Sequence, residues 1–397
     1  MIKKNKLFIA SFVKNDKTGG AIGIDYILNS IGQERIFWFN LKANYNDPID
    51  CYSITSKRDL NLVLNRLFYK VNGIFKRLVF TRKFNRSFQI CFILIYKIYV
   101  FIYIKYISNL LNTEIIKDLY ISLDNDFVFE IQQIIKNIKY DNLYCIVSDD
   151  PAGALKMYGN SDNLISEVDS IVEKVLKKST KIFTISEGMR LYYKKKFNLD
   201  SIVTYPVNFT KIRNQNFKTS LSQNNDILKI VHIGHLRKSE IVNTNNFISF
   251  LIESKIQFQF QFIGRNSTYY DEIIHTQNIT YLNWVEQEEL EKILDNSDFG
   301  YLPYSFNFND TVFVKTSFPN KLTSYSKRGL PTIFHGPYYS DVCNFILNYG
   351  IGYSIDTIDP SVSFSEKIIH SSISKENVLM VAKRFFVPEE ITKLYIF

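Results

Sequence analysis

The segment Ser317-Phe318-Pro319-Asn320-Lys321-Leu322-Thr323-Ser324-Tyr325-Ser326-Lys327-Arg328-Gly329-Leu330-Pro331 has the residue types and spacing of an anion-binding helix start. Pro319 suits the first turn of a helix, where its missing N–H costs nothing. Gly329 suits the left-handed position that ends a helix, and Pro331 blocks continuation. The first N–H groups of such a helix, at Asn320 and Lys321, have no acceptor within it. The positive end of the helix dipole and a lysine ammonium converge there, so phosphate or carboxylate is the ligand chemistry that fits. A second candidate is Asp149-Asp150, at the end of the apolar run Leu143–Ser148. Two adjacent carboxylates can orient or deprotonate a hydroxyl, or they can cap the turn that Pro151 opens. A third is Gly19-Gly20, after the polar stretch Lys14–Thr18, where missing side chains let a tight turn form.

Other chemistry-bearing residues point to structure. Asp124-Asn125-Asp126 has the spacing of a metal-holding tripeptide but follows no evident buried strand, so it reads as a loop. The five histidines show no ligand spacing. His232 and His235 flank a glycine in a strand-to-loop segment, which does not place them on one face, and His335 reads as structural. No metal is expected. Cys51, Cys91, Cys145 and Cys343 are far apart, which fits free thiols in a reducing cytosol. Met1–Lys6 runs directly into the strand-like Leu7–Phe12 without a signal-peptide pattern, so a cytoplasmic location is expected.

The elements that must position these residues alternate between strand and helix. Strands are expected at Leu7–Phe12, Glu34–Asn40, Leu143–Ser148, Lys181–Ile185 and Ile202–Pro206, with helices at Ala21–Ser30, Leu164–Lys178 and Glu187–Phe197. The polar stretch Asn208–Asp226 reads as a linker. Beyond it, strands fit Leu228–Ile233, Phe258–Ile263, Ile279–Leu282, Phe299–Pro303, Thr332–His335 and Gly352–Ile355. Helices fit Val242–Ser254, Tyr269–Thr276, Gln287–Asn296, Lys321–Arg328 and Tyr338–Asn348. This pattern predicts two Rossmann-like doubly wound α/β domains facing a cleft. The first spans 1–207 and the second 208–377, with a C-terminal helix in 378–397 packing back on the first. At 397 residues, the chain is long enough for two cores.

The formal charge is +9 and unevenly spread. Between Lys57 and Lys105, eleven cations face one acid, Asp59. Such a field attracts an anionic partner. Its aromatics lie in the long apolar run Phe88–Ile104 and are not interleaved with cations, which fits a membrane surface or a core better than stacked bases. Residues 57–106 therefore read either as buried helices of the first domain or as an interfacial membrane-docking region. No nucleic-acid partner is expected.

The run from Phe318-Pro319-Asn320-Lys321 through Gly329-Leu330-Pro331, then Ile333-Phe334-His335-Gly336-Pro337, resembles the donor-site signature of the group 1 glycosyltransferases of the GT-B fold. Three other segments resemble that family in its order. They are Val231-His232-Ile233-Gly234-His235-Leu236, Phe262-Ile263-Gly264-Arg265 and Tyr281-Leu282-Asn283-Trp284-Val285, the last bordering the nucleobase. Phe183-Thr184-Ile185-Ser186-Glu187-Gly188-Met189 is similar to a helix start in the family's first domain. The resemblance implies a retaining transferase that moves a sugar from a nucleotide-diphosphate donor to a glycan or lipid-linked acceptor, as in bacterial surface-polysaccharide and capsule synthesis. It implies a donor site of Gly234, Gly264, Arg265, Trp284, Val285, Pro319, Asn320 and Lys321, and an acceptor-side loop at Gly19 and Gly20. Asp149 and Asp150 become the candidate catalytic carboxylates.

The chain departs from the family where the donor ribose is gripped. The expected glutamates fall on Ser324 and Thr316. A serine hydroxyl can still make one ribose hydrogen bond, but the charge-assisted pair is gone. The glycine loop's usual cations are out of register, and Arg237 and Lys238 are the nearest substitutes. These departures motivate an alternative, a non-catalytic module of the same fold that binds a glycan or a partner transferase.

Overall fold

The computed structural model describes residues 5–10, 36–40, 93–102, 104–105, 116–123, 127–208, 210–213, 227–264, 270–363 and 373–387. Gly19, Gly20, Asp124–Asp126, Arg265 and residues 57–92 lie outside the described residues. The chain divides into two units, Met1–Thr204 and Tyr205–Phe397, close to the expected boundary at 207/208.

In the first unit, β1 (Asn5–Ala10), β2 (Ile36–Asn40), β3 (Ile116–Leu123), β4 (Tyr140–Val147), β5 (Lys181–Thr184) and β6 (Ile202–Val203) form one parallel sheet, ordered β2-β1-β3-β4-β5-β6. Strand β3 was not anticipated. Its Lys117, Asp118 and Ser122 break both an alternating and a continuous apolar pattern. The fold tolerates buried Asp118 because the Asn142 amide on β4 donates to its carboxylate at 2.9 Å. This corrects one reading, since Asp124 directly follows a buried strand. Helices α2 (Val128–Asn137), α3 (Pro151–Met157), α4 (Asp162–Lys178) and α5 (Glu187–Phe197) complete the described unit.

Residues 93–105 are helical where described, and we call them α1. Ile93, Tyr96, Val100 and Ile104 are buried at helical spacing, and the Tyr96 hydroxyl donates to Glu130 on α2 at 2.6 Å. Lys97 forms an ion pair with Glu167 on α4, which accounts for a cation within an apolar run. Leu94, Ile95, Ile98, Phe101 and Ile102 are exposed, by 46% at Phe101 up to 61% at Ile98. One face of α1 is thus core and the other is apolar and open. No helix among the described residues is long and apolar enough to cross a membrane.

The second unit holds β7 (Leu228–Ile233), α6 (Lys238–Glu253), β8 (Phe258–Ile263), β9 (Ile279–Leu282), α7 (Gln287–Asp295), β10 (Phe299–Pro303), α8 (Thr311–Thr316), α9 (Asn320–Lys327), β11 (Thr332–His335), α10 (Asp341–Tyr349), β12 (Gly352–Ile355) and α11 (Lys375–Phe385). Its six strands have the expected bounds and lie parallel in the order β12-β11-β10-β7-β8-β9. The chain winds outward from β7 through β8 and β9, then returns to β10 on the other side of β7. The carboxyl ends of β7 and β10 therefore flank a topological switch point, the usual ligand position in such sheets.

The helix expected at Tyr269–Thr276 is only a 3-10 turn, Tyr270–Glu272. Asn245 on α6 stops it, donating to the Glu272 carbonyl and accepting from the Ile274 N–H. Helix α8 was not anticipated. Under the sheet, Phe247 stacks on Tyr301 at 4.8 Å beside Phe260 and Phe262. Tyr205, Phe318, Phe345, Phe385 and Phe386 form a second aromatic cluster that seats α11 beside α9. The C-terminal segment, as far as residue 387, makes these contacts within the second unit. Residues 388–397 lie outside the described residues.

Candidate functional site

Helix α9 begins at Asn320 after Pro319 in extended backbone, and ends at Gly329 with φ +69°. The N–H of Gly329 donates to Ser326 and that of Leu330 to Tyr325, so the last carbonyls are satisfied. Tyr325 fixes the helix to the sheet. Its hydroxyl accepts from the Ile233 N–H at 3.1 Å and lies 3.3 Å from the Tyr301 carbonyl, so it bridges β7 and β10. Gly300 makes room for it, since a Cβ there would enter the Tyr325 ring. Lys321 stands one turn before Tyr325 on the same helix face. Its chain crosses Gly234, with Cε 3.5 Å from where a Cβ would stand. Gly234 has φ +82°, and a Cβ on Gly264 would meet the Gly234 carbonyl at 2.9 Å. Both loops approach as backbone because neither carries a side chain.

The Lys321 Nζ lies 3.2 Å from His232 Nε2 and 3.1 Å from the His235 carbonyl. Burial pulls its pKa down to about 8; Glu240 resists that fall, and Arg237 adds to it. His232 is fully buried, and burial and then Lys321 hold it well below the usual histidine range. His235 is lowered by burial, then by Lys321 and Arg237. Buried Glu240 accepts from the Arg237 N–H at 2.9 Å; burial raises its pKa while Lys321 and Arg237 oppose that. One further cation, Arg237, thus acts on Lys321 at the start of α9, and the Glu240 carboxylate opposes it. The Asn320 Oδ1 is buried there without a hydrogen-bond partner. An anion placed here would relieve the repulsion and meet the ammonium in a site of reduced solvation.

The structure brings Gly234, Gly264, Asn320 and Lys321 together. Arg237 precedes α6 with its guanidinium 3.7 Å from the centre of the Phe313 ring on α8, and Lys238 is exposed beside it. Trp284, 51% exposed, and Val285 follow β9, the edge strand two places from β7. Ser324 is buried, and its hydroxyl oxygen accepts from the Asn208 amide at 2.7 Å and the Thr210 hydroxyl at 3.1 Å. Thr316, also buried, donates to the Val312 carbonyl.

Asp150 is a helix cap. It accepts from the Gly153 N–H at 2.6 Å and the Tyr193 hydroxyl at 2.8 Å, and it is 4% exposed. Asp149 beside it is exposed. His335 is structural, with Nε2 on the Thr357 carbonyl and Nδ1 on the Tyr301 hydroxyl. Among the described residues no group of histidines, cysteines and carboxylates could hold a metal ion. Sequence reasoning missed Tyr325, Glu240 and Asn208. Only Tyr325 left a signal, at helical spacing from Lys321.

No protein-family model matches the chain, and no curated protein matches it in sequence. Solved structures do match over nearly its whole length. A lipopolysaccharide outer core galactosyltransferase, WaaB, shares 12% identity over 98% of both chains at TM-score 0.63. Sucrose-phosphate synthase from Thermosynechococcus elongatus shares 9% over 99% of this chain and 97% of its own, at TM-score 0.65. Anabaena HepE, solved with UDP and glucose, shares 10% over 99% and 98%, at TM-score 0.59. Two parallel-sheet units, a switch point between β7 and β10, and these full-length matches together identify the fold as GT-B, the two-domain fold of those glycosyltransferases.

Proposed function

We propose that this chain is a nucleotide-sugar-dependent glycosyltransferase, moving a sugar from a nucleotide-diphosphate donor to a glycan or lipid-linked acceptor with retention of configuration. The observation that carries the proposal is Lys321, held over Gly234 at the switch point in a poorly solvated place that lowers its pKa, with Arg237 adding to that fall. A diphosphate is the ligand that such a place stabilises most. As the sugar leaves, charge builds on the departing diphosphate, and Lys321, Arg237, Lys238 and the first N–H groups of α9 are the groups to meet it. These cations supply the neutralisation, so the reading assigns no metal. In this reading exposed Asp149 orients or deprotonates the acceptor hydroxyl. Trp284 and Val285 border the base.

The open apolar face of α1, with the cations of residues 57–105, supports docking on an anionic membrane surface at its cytoplasmic side, where polysaccharide precursors are lipid-linked. A second reading, a non-catalytic module that binds a glycan or a partner transferase, is favoured by Ser324 and Thr316, whose hydroxyls are already engaged. Incubation with a panel of nucleotide sugars, reading nucleotide release with and without Lys321→Ala, tests the proposal. Release abolished by the substitution is expected. No release from any donor, with no nucleoside diphosphate bound in calorimetry, would favour the second reading, and release unchanged by the substitution would overturn the donor site.

A further inference from the structure

Resting on that reading of the donor site, we propose that His232 is a positioning residue for Lys321. Its neutral imidazole, locked in one tautomer by the Tyr301 carbonyl, aims the ammonium at the bound diphosphate.

The tautomer follows from the partners. Nδ1 of His232 lies 3.1 Å from the Tyr301 carbonyl oxygen, which can only accept, so Nδ1 carries the proton. Nε2 therefore presents a lone pair, and the Lys321 ammonium donates to it at 3.2 Å. The ring cannot turn away. It is 0% exposed, packed 5.7 Å from the Phe262 ring centre, and anchored to the backbone of neighbouring β10. The His235 carbonyl takes a second ammonium N–H at 3.1 Å, which leaves the third for a ligand.

A neutral acceptor suits this task better than a charged one. A carboxylate under Lys321 would hold it equally well but cancel the charge that the diphosphate needs. An apolar side chain would leave the ammonium with one acceptor in a poorly solvated place, free to swing. Burial and the neighbouring lysine charge keep the imidazole unprotonated, so it remains an acceptor wherever Lys321 is charged. The charged or titratable groups facing this pair are His235 after β7, and Arg237 and Glu240 where α6 starts.

Full-length His232→Phe and His232→Gln separate this role from simple packing. In Gln, the carboxamide nitrogen can serve Tyr301 and its oxygen can serve Lys321. Calorimetry with UDP and with GDP at pH 7 is expected to show about a tenfold loss for Phe, one charge-assisted hydrogen bond, and partial recovery for Gln. The pH midpoint of Lys321 acylation, read by mass spectrometry, is expected to fall in Phe and return toward wild type in Gln. Unchanged affinity and midpoint in Phe, while Lys321→Ala weakens binding, would overturn the positioning role and leave the donor site standing. Wild-type affinity in Lys321→Ala would instead overturn the donor site itself. If neither His232 variant folds, nitrogen-15 spectra of histidine-labelled wild-type chain still decide the matter. A His232 ring protonated on Nδ1 alone is expected, and one protonated on Nε2 would overturn the proposal.

Discussion

At the residue scale, Lys321 and Asp150 invert what their sequence neighbourhoods offer equally. Both stand at helix starts, and both carry charge. Lys321 has its ammonium on two acceptors and reserves a donor; Asp150 has its carboxylate engaged by Gly153 and Tyr193. Lys321→Ala should therefore weaken UDP or GDP binding by about 2 kcal/mol, some thirtyfold, with thermal stability nearly unchanged. Calorimetry beside a melting curve checks both. Asp150→Ala should do the reverse. It should cost roughly 2–3 kcal/mol in urea unfolding, from the lost cap and a buried tyrosine hydroxyl left without its acceptor, and leave nucleotide affinity alone.

The sign of the pH dependence follows from the lysine. A group with pKa near 8 is charged at pH 7 and loses its charge as pH rises through 8. A bound diphosphate, whose terminal phosphate already carries most of its charge at pH 7, favours the ammonium and raises that value. Affinity should therefore be nearly flat around pH 7 and fall by up to tenfold per unit above pH 8. A rise over that range would mean that Lys321 is not the contact. None of these pairings was legible in the sequence. Lys321 and His232 are 89 residues apart, and Ser324 and Asn208 are 116 apart. Residue type gives each side chain its options, but only the sheet order selects among them.

At the element scale, legibility followed the hydrogen-bonding surroundings of each strand. The strands of the second sheet are apolar runs punctuated by turns, and their bounds could be read directly. Strand β3 could not, because Asp118 is acceptable in a core only with Asn142 of β4 beside it. Helix α9 was readable from its ends, Pro319 and Gly329, but not the means of its attachment through Tyr325. That attachment gives a test. Gly300→Ala drives a methyl into the Tyr325 ring and should destabilise by about 1–3 kcal/mol. It should also weaken nucleotide binding by displacing Lys321, although Gly300 meets no ligand.

Helix α1 offers the opposite case. Its apolar run left core and membrane both open, and the structure divides the run lengthwise between a buried and an open face. Ile98→Glu with Ile102→Glu should leave the unfolding free energy within about 0.5 kcal/mol per site. The same pair should reduce co-sedimentation with anionic vesicles at least tenfold, because each side chain would otherwise bury about 1.5–3 kcal/mol of apolar surface. A large loss of stability would show that this face packs against protein.

At the scale of the whole molecule, two units with separate apolar cores make the location of the nucleotide a question that one measurement can answer. Each sheet has a carboxyl edge, and each edge carries a helix start with an attractive residue pair, Asp149-Asp150 in the first unit and Asn320-Lys321 in the second. Charge separates them. The first edge offers carboxylates to an incoming anion and the second offers a lysine whose pKa its surroundings have already lowered. Hydrogen exchange of the full chain, with and without UDP or GDP, should show new protection at residues 231–237 and 320–322, where backbone and lysine would close on the diphosphate. Residues 148–153 should exchange unchanged when no acceptor is present, because Asp149 and Asp150 repel a phosphate there. Protection gained at 148–153 from nucleotide alone would move the donor to the first unit and reverse the roles assigned to the two sheets. Protection confined to 231–237 and 320–322, absent in Lys321→Ala, would tie the anion chemistry of this fold to one side chain and the glycine beneath it.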